Sequence, residues 1–391
     1  MKVIHATTVP QTLAFLSGQC EYFTRRGAEV VLISSPGPRL QTFAQSEGVP
    51  AIAVPMSREI RPLADALALL SIVRLLRRLR PDVVHAHTPK AGLLFTVAAR
   101  MAGVPVCVYQ IHGLRFLTTM GARRVLLKAA ERLTSTLAHS VLGVSASVLA
   151  LARAEKVLPR GKGIVLGSGS VNGVDSEHFS PTLARTMATG AAEEMGIAPG
   201  DPVIGFVGRI VIDKGIVELA AAWSQIRREI PRARLLIVGA HDDTDPIPSQ
   251  VRRALEEDPR IHLIGETDDV RPYYGLMTVL ALPSYREGFG QVLLEANACR
   301  VASVASDIPG IRDAVIDGVT GRLVPVRDAA ALTSALSVLI GDTEQRERLA
   351  SAARQRVVAD FLPSELWSAT WDHDNELLGA RRGSRLRNTK G

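Results

Sequence analysis

Short apolar runs rich in β-branched residues alternate with longer amphipathic segments along the whole chain. The short runs predict buried strands, and the longer segments predict helices. Strands are predicted at residues 2–5, 30–34, 51–54, 83–85, 106–110 and 140–143, and again at 203–207, 235–238, 262–264, 279–282 and 301–305. Helices are predicted between them, the first as one continuous helix over residues 12–26. This alternation is typical of α/β proteins with a parallel sheet covered on both faces.

The alternation is interrupted once, by a stretch rich in glycine and serine at residues 161–175. Because 391 residues are too many for one ordinary core, we predict two domains. Both are predicted to be doubly wound and Rossmann-like, at residues 1–180 and 181–363. A further helix is predicted at 364–380. The segment 381–391 is basic and poor in apolar residues, so it is predicted to be a disordered tail.

Composition excludes several classes of protein. Aromatic residues make up only 4% of the chain, and no helix-turn-helix, finger or basic zipper pattern is present, so we expect no nucleic-acid partner. Three widely spaced cysteines form neither a metal-ligand pattern nor a disulfide framework, which fits a reducing cytoplasm. No uncharged apolar run reaches the ~18–20 residues that span a bilayer.

Charge is divided unevenly between the two halves. Residues 1–180 carry 21 Lys and Arg against 10 Asp and Glu, a net charge of +11, so the remaining residues carry −4. The helix predicted near 63–80 ends in Arg74, Arg77 and Arg78, and another predicted helix begins with Arg123 and Arg124. We therefore predict that the first domain meets an anionic membrane surface, which would place the protein in the cytoplasm on the inner face of the cell membrane.

Two carboxylates stand eight residues apart in PSYREGFGQVLLE, which starts at Pro283 after a predicted strand. Glu287 lies in a glycine-rich turn and Glu295 in the helix that follows. Glycines allow backbone N–H groups to approach a ligand, and the helix N-terminus favours an anion. A phosphate held between groups that bind hydroxyls suggests a sugar nucleotide.

A second segment, GRIVIDKG, follows the first strand of the second domain and contains Arg209 and Lys214. Two cations near a helix start suit a diphosphate, with arginine as a fork and lysine as a point charge. Both segments follow strands of one predicted parallel sheet, so we expect them at the same edge.

Together these segments resemble the retaining glycosyltransferases of the GT-B fold known as family 4, and the likeness covers nearly the whole chain. The resemblance implies two Rossmann-like domains facing across a cleft, with C-terminal helices crossing back to the first domain. It implies transfer of a sugar from a nucleoside diphosphate sugar with retention of configuration, and it requires neither a metal nor another cofactor. Members that build capsular or O-antigen polysaccharide are similar in the HTPKAG segment, which contains Lys90.

The resemblance also implies roles for individual residues. Glu287 would contact the donor sugar and Glu295 the ribose. Arg209 and Lys214 would neutralise the leaving diphosphate. The remaining implied site residues are Gly288, Phe289 and Gly290, which would offer backbone amides to the donor, His112, which would face the transferred sugar, and His87 and Lys90, which would face the acceptor.

Two positions depart from the family pattern. Thr7-Thr8-Val9-Pro10 replaces a Gly-Gly turn after the first strand, and Gly18 lies inside the predicted first helix. Arg300 stands where a glycine often ends the helix that carries Glu295, at a cost of about 1 kcal/mol if that residue must be left-handed.

Several alternatives remain open from the sequence. The donor nucleotide is expected to be UDP, with GDP as the alternative, and the acceptor to be an undecaprenyl-diphosphate-linked sugar or a glycan. Two other functions fit the same residues: a non-catalytic protein that binds nucleotide sugar or lipid-linked glycan, and a sugar-nucleotide epimerase. The acidic pairs Asp243/Asp245 and Asp372/Asp374 do not follow strands, so we do not expect a metal-binding DxD motif.

Overall fold

The computed structural model describes residues 1–243 and 245–388, with side chains as far as Arg381. The chain forms two compact units: residues 1–172 together with the C-terminal helix from Pro363, and residues 173–362. The sequence placed the first junction at residue 180 and the last helix at 364–380.

The first unit is a six-stranded parallel sheet covered by helices. Its strands are β1 (Lys2–Ala6), β2 (Glu29–Ser34), β3 (Ala51–Ala53), β4 (Val83–His87), β5 (Val106–Ile111) and β6 (Ser140–Gly143). Its helices are α1 (Gln19–Arg25), α2 (Pro38–Ser46), α3 (Pro62–Leu79), α4 (Pro89–Ala102), α5 (Gly121–Leu137) and α6 (Ala146–Ala154), with short 3-10 helices at Pro10–Leu16 and Arg115–Thr118.

The strand order in this sheet is β3-β2-β1-β4-β5-β6. The order therefore reverses between β1 and β4, where His5 pairs with His85 in register. Helices α3 and α4 bury an apolar core against one face of the sheet, and α1 and α2 bury another against the opposite face. The point of reversal is where open α/β sheets bind ligands, at the carboxyl ends of the strands.

The second unit repeats this architecture. Its strands are β7 (Val203–Val207), β8 (Arg234–Val238), β9 (Ile261–Gly265), β10 (Val279–Leu282), β11 (Ala302–Ser306) and β12 (Arg322–Val324). Its helices are α7 (Pro181–Met195), α8 (Ile216–Glu229), α9 (Ser249–Glu257), α10 (Arg271–Leu276), α11 (Gln291–Ala298), α12 (Ile311–Ala314), α13 (Ala329–Gly341) and α14 (Thr343–Asp360), with a 3-10 turn at Ile212–Lys214. The strand order β12-β11-β10-β7-β8-β9 reverses between β10 and β7.

The prediction of one continuous helix over 12–26 was wrong at Gly18. The segment is a 3-10 helix that ends at Leu16, followed by α1 from Gln19, and Gly18 between them has φ 77°. A Cβ atom at Gly18 would lie 2.5 Å from the indole ring of Trp367. Close approach of the C-terminal helix thus requires a glycine here, and the left-handed backbone breaks the helix.

The C-terminal helix α15 (Pro363–Asn388) is longer than predicted. The helix continues past the end expected near residue 380 as far as Asn388, and residues 389–391 of the expected tail lie outside the described residues. Leu378 and Trp371 pack on the core of the first unit. Once these residues anchor the helix, each further residue adds a backbone hydrogen bond at little cost.

Arg300 has a left-handed backbone, the conformation for which a steric cost was expected. Its φ is 61°, and its N–H donates to Asn297 O at 2.9 Å just after α11. Its side chain lies on the surface, 3.2 Å from Glu347 Oε2.

Replacing Arg300 with glycine should stabilise the protein. We expect Arg300→Gly to raise the free energy of unfolding by about 0.5–1 kcal/mol, because glycine adopts positive φ without steric cost. Loss of the exposed ion pair offsets only a few tenths of a kcal/mol, on the order of other surface pairs. Urea unfolding gives the measurement, and Glu347→Ala, which removes only the ion pair, is the control. Equal stabilities for the two variants would contradict the assignment of strain.

Candidate functional site

The reversal of strand order in the second unit brings two predicted segments together. Lys214 lies in the 3-10 turn after β7, and Glu287 lies in the loop between β10 and α11. The ammonium of Lys214 bonds Glu287 Oε1, and the hydroxyl of Ser284 donates to the same oxygen at 2.8 Å. Both charged side chains are largely buried, with exposed fractions of 21% and 13%. We call Lys214, Ser284 and Glu287 the loop cluster.

Arg209 does not join the loop cluster. Its guanidinium contacts Asp242 Oδ2 at 2.6 Å and is half-exposed. Arg286, which directly precedes Glu287 in the loop between β10 and α11, pairs with Asp213 at 2.9 Å. The structure therefore keeps the two predicted diphosphate ligands, Arg209 and Lys214, on separate carboxylates.

Glu295 lies one turn into α11 and is bonded by a buried tyrosine. The hydroxyl of Tyr274 donates to Glu295 Oε2 at 2.9 Å. Burial raises the pKa of the Glu295 carboxyl to about 7, and the hydrogen bond from Tyr274 only partly opposes this. The pKa of Tyr274 is raised well above its ordinary value, by burial and then by the charge of Glu295. Near neutral pH Glu295 therefore changes charge.

A further glycine, Gly310, packs against the glycine-rich turn Gly288–Gly290, and the sequence did not lead us to predict it. Gly310, before α12, has φ 89°, and a Cβ there would lie 2.7 Å from the carbonyl oxygens of Glu287 and Gly288. The ring of Phe289 is buried and packs edge-on against Phe361 at 5.4 Å. Phe289 can offer only its backbone to a ligand. The segment DIPG, which ends at Gly310, is the sequence feature that could have indicated this packing.

The reversal of strand order in the first unit collects histidines. His5 is the last residue but one of β1, His85 lies in the middle of β4, His87 ends β4, and His112 follows β5. His5 Nδ1 lies 3.2 Å from His87 Nε2, and His87 Nδ1 lies 3.3 Å from His112 Nε2. We call His5, His87 and His112 the histidine row. The sequence predicted His87 and His112 as site residues and missed His5, which the parallel register of β1 and β4 would have placed beside them.

His85, in the middle of β4, is a core histidine. Its Nε2 lies 2.8 Å from Asp374 Oδ2 on α15, and both side chains are almost completely buried. The ring of His85 stacks on His5 with centroids 4.9 Å apart. Asp374 thus belongs to a structural pair that fixes α15 on the sheet.

Lys90 is also engaged within the first unit. Its ammonium lies 2.8 and 2.9 Å from the two carboxylate oxygens of Asp65 on α3, and it donates to the Glu59 carbonyl. The side chain is only 13% exposed. Lys90 therefore ties the start of α4 to the start of α3.

The Thr7–Pro10 loop, where the family often has a Gly-Gly turn, is built on hydroxyl contacts. The hydroxyls of Thr8 and Thr88 are 2.7 Å apart, and Ala91 N donates to Thr8 Oγ1 at 3.1 Å. Thr8 thus takes one of the unpaired N–H groups at the start of α4. Across the described residues, no group of three or more His, Cys, Asp and Glu side chains is arranged to hold a metal ion.

Two doubly wound parallel sheets, each with reactive groups at its switch point, are the architecture of GT-B glycosyltransferases. Residues 191–356 match the model of the glycosyl transferases group 1, and residues 14–169 match that of the glycosyl transferase 4-like domain. The chain is 30% identical over 98% of its length to the capsular polysaccharide biosynthesis glycosyltransferase CapM of Staphylococcus aureus, covering 99% of that protein. The chain belongs to the family of glycosyl transferases group 1, which confirms the predicted resemblance.

Other similar proteins extend the comparison. An Escherichia coli protein named UDP-Gal:alpha-D-GlcNAc-diphosphoundecaprenol alpha-1,3-galactosyltransferase is 26% identical over 81% of each chain. The structure of Anabaena HepE in complex with UDP-glucose has a TM-score of 0.80 at 19% identity, covering 97% of this chain and 100% of that one. WaaG, a glycosyltransferase involved in lipopolysaccharide biosynthesis, has a TM-score of 0.70 at 15% identity, covering 96% and 99%. These structures confirm the predicted fold class.

The raised pKa of Glu295 should make stability depend on pH. Because the folded state holds the Glu295 proton up to about pH 7 and the unfolded state releases it near 4.5, this group stabilises the fold below pH 4.5. That contribution is lost as the pH rises through 7. Glu295→Gln keeps an acceptor for Tyr274 but has no charge. It should therefore raise the free energy of unfolding relative to wild type by about 1–3 kcal/mol more at pH 8 than at pH 5.

Urea unfolding at both pH values measures the difference. Glu344→Gln, at an exposed position on α14, is the matched control and should show no such pH-dependent gain. A gain for Glu295→Gln that is equal at both pH values would contradict the raised pKa.

Proposed function

We propose that this glycosyltransferase transfers a sugar from a UDP-sugar, with retention of configuration, to a lipid-diphosphate-linked or glycan acceptor in the synthesis of a bacterial surface polysaccharide. The observation that carries the proposal is the Lys214–Glu287 pair at the point of strand reversal in the second unit. A cation and a carboxylate next to a glycine-rich turn and a helix N-terminus suit the diphosphate and the hydroxyls of a nucleotide sugar.

The largest energetic demand of the reaction is the charge on the departing diphosphate. Lys214 and Arg209 now contact single carboxylates, Glu287 and Asp242. A diphosphate carries more charge and more acceptor oxygens than either carboxylate. We therefore expect the donor to draw both cations onto its phosphates, together with the backbone amides of Gly288, Phe289 and Gly290. Since these groups neutralise the leaving group, the scheme requires no metal ion and no other cofactor.

Exchange of partners would also prepare Glu287 for the sugar. Once Lys214 binds phosphate, Glu287 keeps the hydrogen bond from Ser284 and turns its other lone pairs toward sugar hydroxyls. Its charge then favours the positive character that develops at the anomeric carbon. Glu295 would accept hydrogen bonds from the ribose hydroxyls in its ionised form.

Retention is proposed to proceed on one face of the sugar. The bond from the anomeric carbon to the phosphate oxygen breaks, the acceptor oxygen bonds on the same face, and the leaving phosphate oxygen takes the acceptor's proton. Glu287 is held by Lys214 and Ser284 as a binding group, so no enzymic nucleophile is assigned.

Two relatives support the choice of substrates. HepE has been solved with UDP-glucose, and the Escherichia coli relative is named for UDP-Gal and a diphosphoundecaprenol-linked sugar. GDP is the alternative donor nucleotide, and a panel of UDP- and GDP-sugars separates the two. On the acceptor side, His112 would face the transferred sugar, with His87 behind it. Lys90 would act by ordering the start of α3.

A donor-transfer assay tests the proposal. We expect Lys214→Ala and Glu287→Gln each to lower kcat/KM by about 100-fold or more, because each removes a charge that the transition state requires. Arg253→Ala, at an exposed position on α9, should leave kcat/KM unchanged. The anomeric configuration of the product, read by NMR, should match that of the donor.

Other results would contradict the proposed mechanism or identify a different function. A covalent glycosyl adduct on Glu287 or an inverted product would contradict same-face transfer. Conversion of the donor sugar without an acceptor would identify an epimerase. Donor binding without hydrolysis or transfer, across a panel of UDP- and GDP-sugars with lipid-linked acceptors, would identify a binding protein.

The first unit also offers a surface for a membrane. No helix in the described part of the chain is long and apolar enough to cross a bilayer. Helices α3 and α5 flank α4, and apolar side chains are exposed on them and directly before α5: Leu63 (85%), Leu67 (66%), Met120 (89%) and Val125 (69%). Basic residues accompany them: exposed Arg74, Arg78 and Arg123, and a pair, Arg124 and Lys128, that shares Glu155. We propose that these α3 and α5 residues bind anionic lipid, as a peripheral contact on the inner face of the cell membrane.

Vesicle sedimentation tests this surface. We expect the double variant Arg74→Glu/Arg78→Glu to lower binding to phosphatidylglycerol-containing vesicles by about tenfold or more, because each basic residue contributes on the order of 1 kcal/mol. Leu63→Asp/Leu67→Asp should weaken binding by removing apolar contact. Val358→Asp, an exposed apolar position on α14, is the control. Equal binding of wild type to neutral vesicles would contradict the electrostatic contribution.

A further inference from the structure

We propose that His5 and His87 are positioning residues that hold His112 in the tautomer protonated on Nδ1, so that His112 donates a hydrogen bond to an oxygen of the bound substrate. This inference rests on the proposed function, in which His112 faces the transferred sugar. Three features carry it: the spacing of the ring nitrogens in the histidine row, the count of ring protons, and the different surroundings of its two ends.

His87 is the centre of the row and uses both of its nitrogens. Its Nε2 lies 3.2 Å from His5 Nδ1, and its Nδ1 lies 3.3 Å from His112 Nε2. Each link needs one proton and one lone pair. Burial lowers the pKa of His5 and His87 well below the ordinary value and lowers the pKa of His112 to about 4. The three rings are therefore neutral near pH 7, and each carries one N–H.

Only two arrangements of these protons satisfy both links. In one, His5 donates to His87 and His87 donates to His112, which leaves the third proton on His112 Nδ1. In the other, every link is reversed and the third proton lies on His5 Nε2. Among the described residues neither terminal nitrogen has a hydrogen-bond partner, and both are buried. The two arrangements therefore differ in which end carries an unpaired N–H.

The surroundings favour an N–H at the His112 end. His5 is completely buried, between the stacked ring of His85 and the ring of Phe23 at 6.0 Å. A buried N–H without an acceptor is costly, more so than a bare lone pair. The ring of His112 is half-buried and stacks on Phe15 at 5.2 Å, whereas His5 is completely buried. Its Nδ1 is itself covered, so the proposal requires that an oxygen of the bound substrate reach this nitrogen and accept its proton.

The other polar groups near the histidine row do not favour the opposite proton arrangement. His85 faces His5, and its own Nε2 is committed to Asp374 on α15. Gln110 contacts His87, but its amide can donate or accept and fits either direction. His112 is thus assigned as a hydrogen-bond donor and not as a proton acceptor, and the two rings behind it fix that polarity.

The tautomers can be read directly. Full-length protein labelled with ring-¹⁵N histidine, studied by two-bond ¹⁵N–¹H correlation at pH 7.5, should show His5, His87 and His112 all protonated on Nδ1. Variants at each of the three positions identify the signals by their loss. A His112 ring protonated on Nε2, or a mixture of both forms in wild type, would overturn the inference.

Variants at the far end of the row test the transmission. His5→Phe keeps a ring for stacking but removes the donor, so His112 should become a mixture of tautomers and kcat/KM should fall about fivefold, the loss of one hydrogen bond. His5→Asn retains an N–H near the position of Nδ1 and should restore both readouts. His139→Asn, a histidine of the same unit outside the row whose Nδ1 accepts from Cys107 N, is the control.

The two hypotheses fail separately. If wild type transfers no sugar, the spectra still decide the tautomer, and the proposed function alone is lost. If wild type is active and His5→Phe leaves the His112 tautomer unchanged, the positioning role is lost and the function stands. If His5→Phe does not fold, the spectra of wild type and of His5→Asn decide between the two proton arrangements.

Discussion

Parallel strand pairing with one reversal of strand order in each sheet is the constraint on which the rest of the structure depends. At the reversal, neighbouring strands continue to helices on opposite faces, so the loops between them diverge. The reversal between β7 and β10 brings Lys214 to Glu287, although 73 positions separate them. The reversal between β1 and β4 brings His5 to His87 in the same way. Both reactive clusters therefore result from topology and not from neighbouring positions in the chain.

The second unit holds its charges in pairs that a ligand can rearrange. Lys214 and Arg209 each have one carboxylate partner, so neither is an uncompensated buried charge. Glu295 differs, because its carboxyl is paired with the neutral hydroxyl of Tyr274 and has a pKa raised to about 7. The charged form of Glu295 destabilises the fold, and it is also the form that is proposed to bind the ribose. Stability and donor binding thus make opposing demands at one position.

Much of this arrangement was predictable from the sequence, and the failures have physical causes. Period and composition located the strands, because local pattern controls strand formation. The segments PSYREGFGQVLLE and GRIVIDKG located the loop cluster, because both follow strands of one parallel sheet and so lie at the same edge. The break at Gly18 depends on Trp367, which lies far away in sequence and left no local signal. His5 was missed because only the register of β1 against β4 makes it a neighbour of His87. The pairing of Lys90 with Asp65 was missed because it joins two helices and has no local signature, and the acceptor-side role of Lys90 stays a prediction.

The C-terminal helix α15 has a consequence for the order in which the chain folds during synthesis. Residues 173–362 form one uninterrupted unit, which can fold as soon as it leaves the ribosome. The first unit must wait, because the buried side chain of His85 finds its carboxylate only when Asp374 emerges, 289 residues later. Until then Trp371 and Leu378 are also missing from its core. The half of the enzyme that is translated first is therefore completed last.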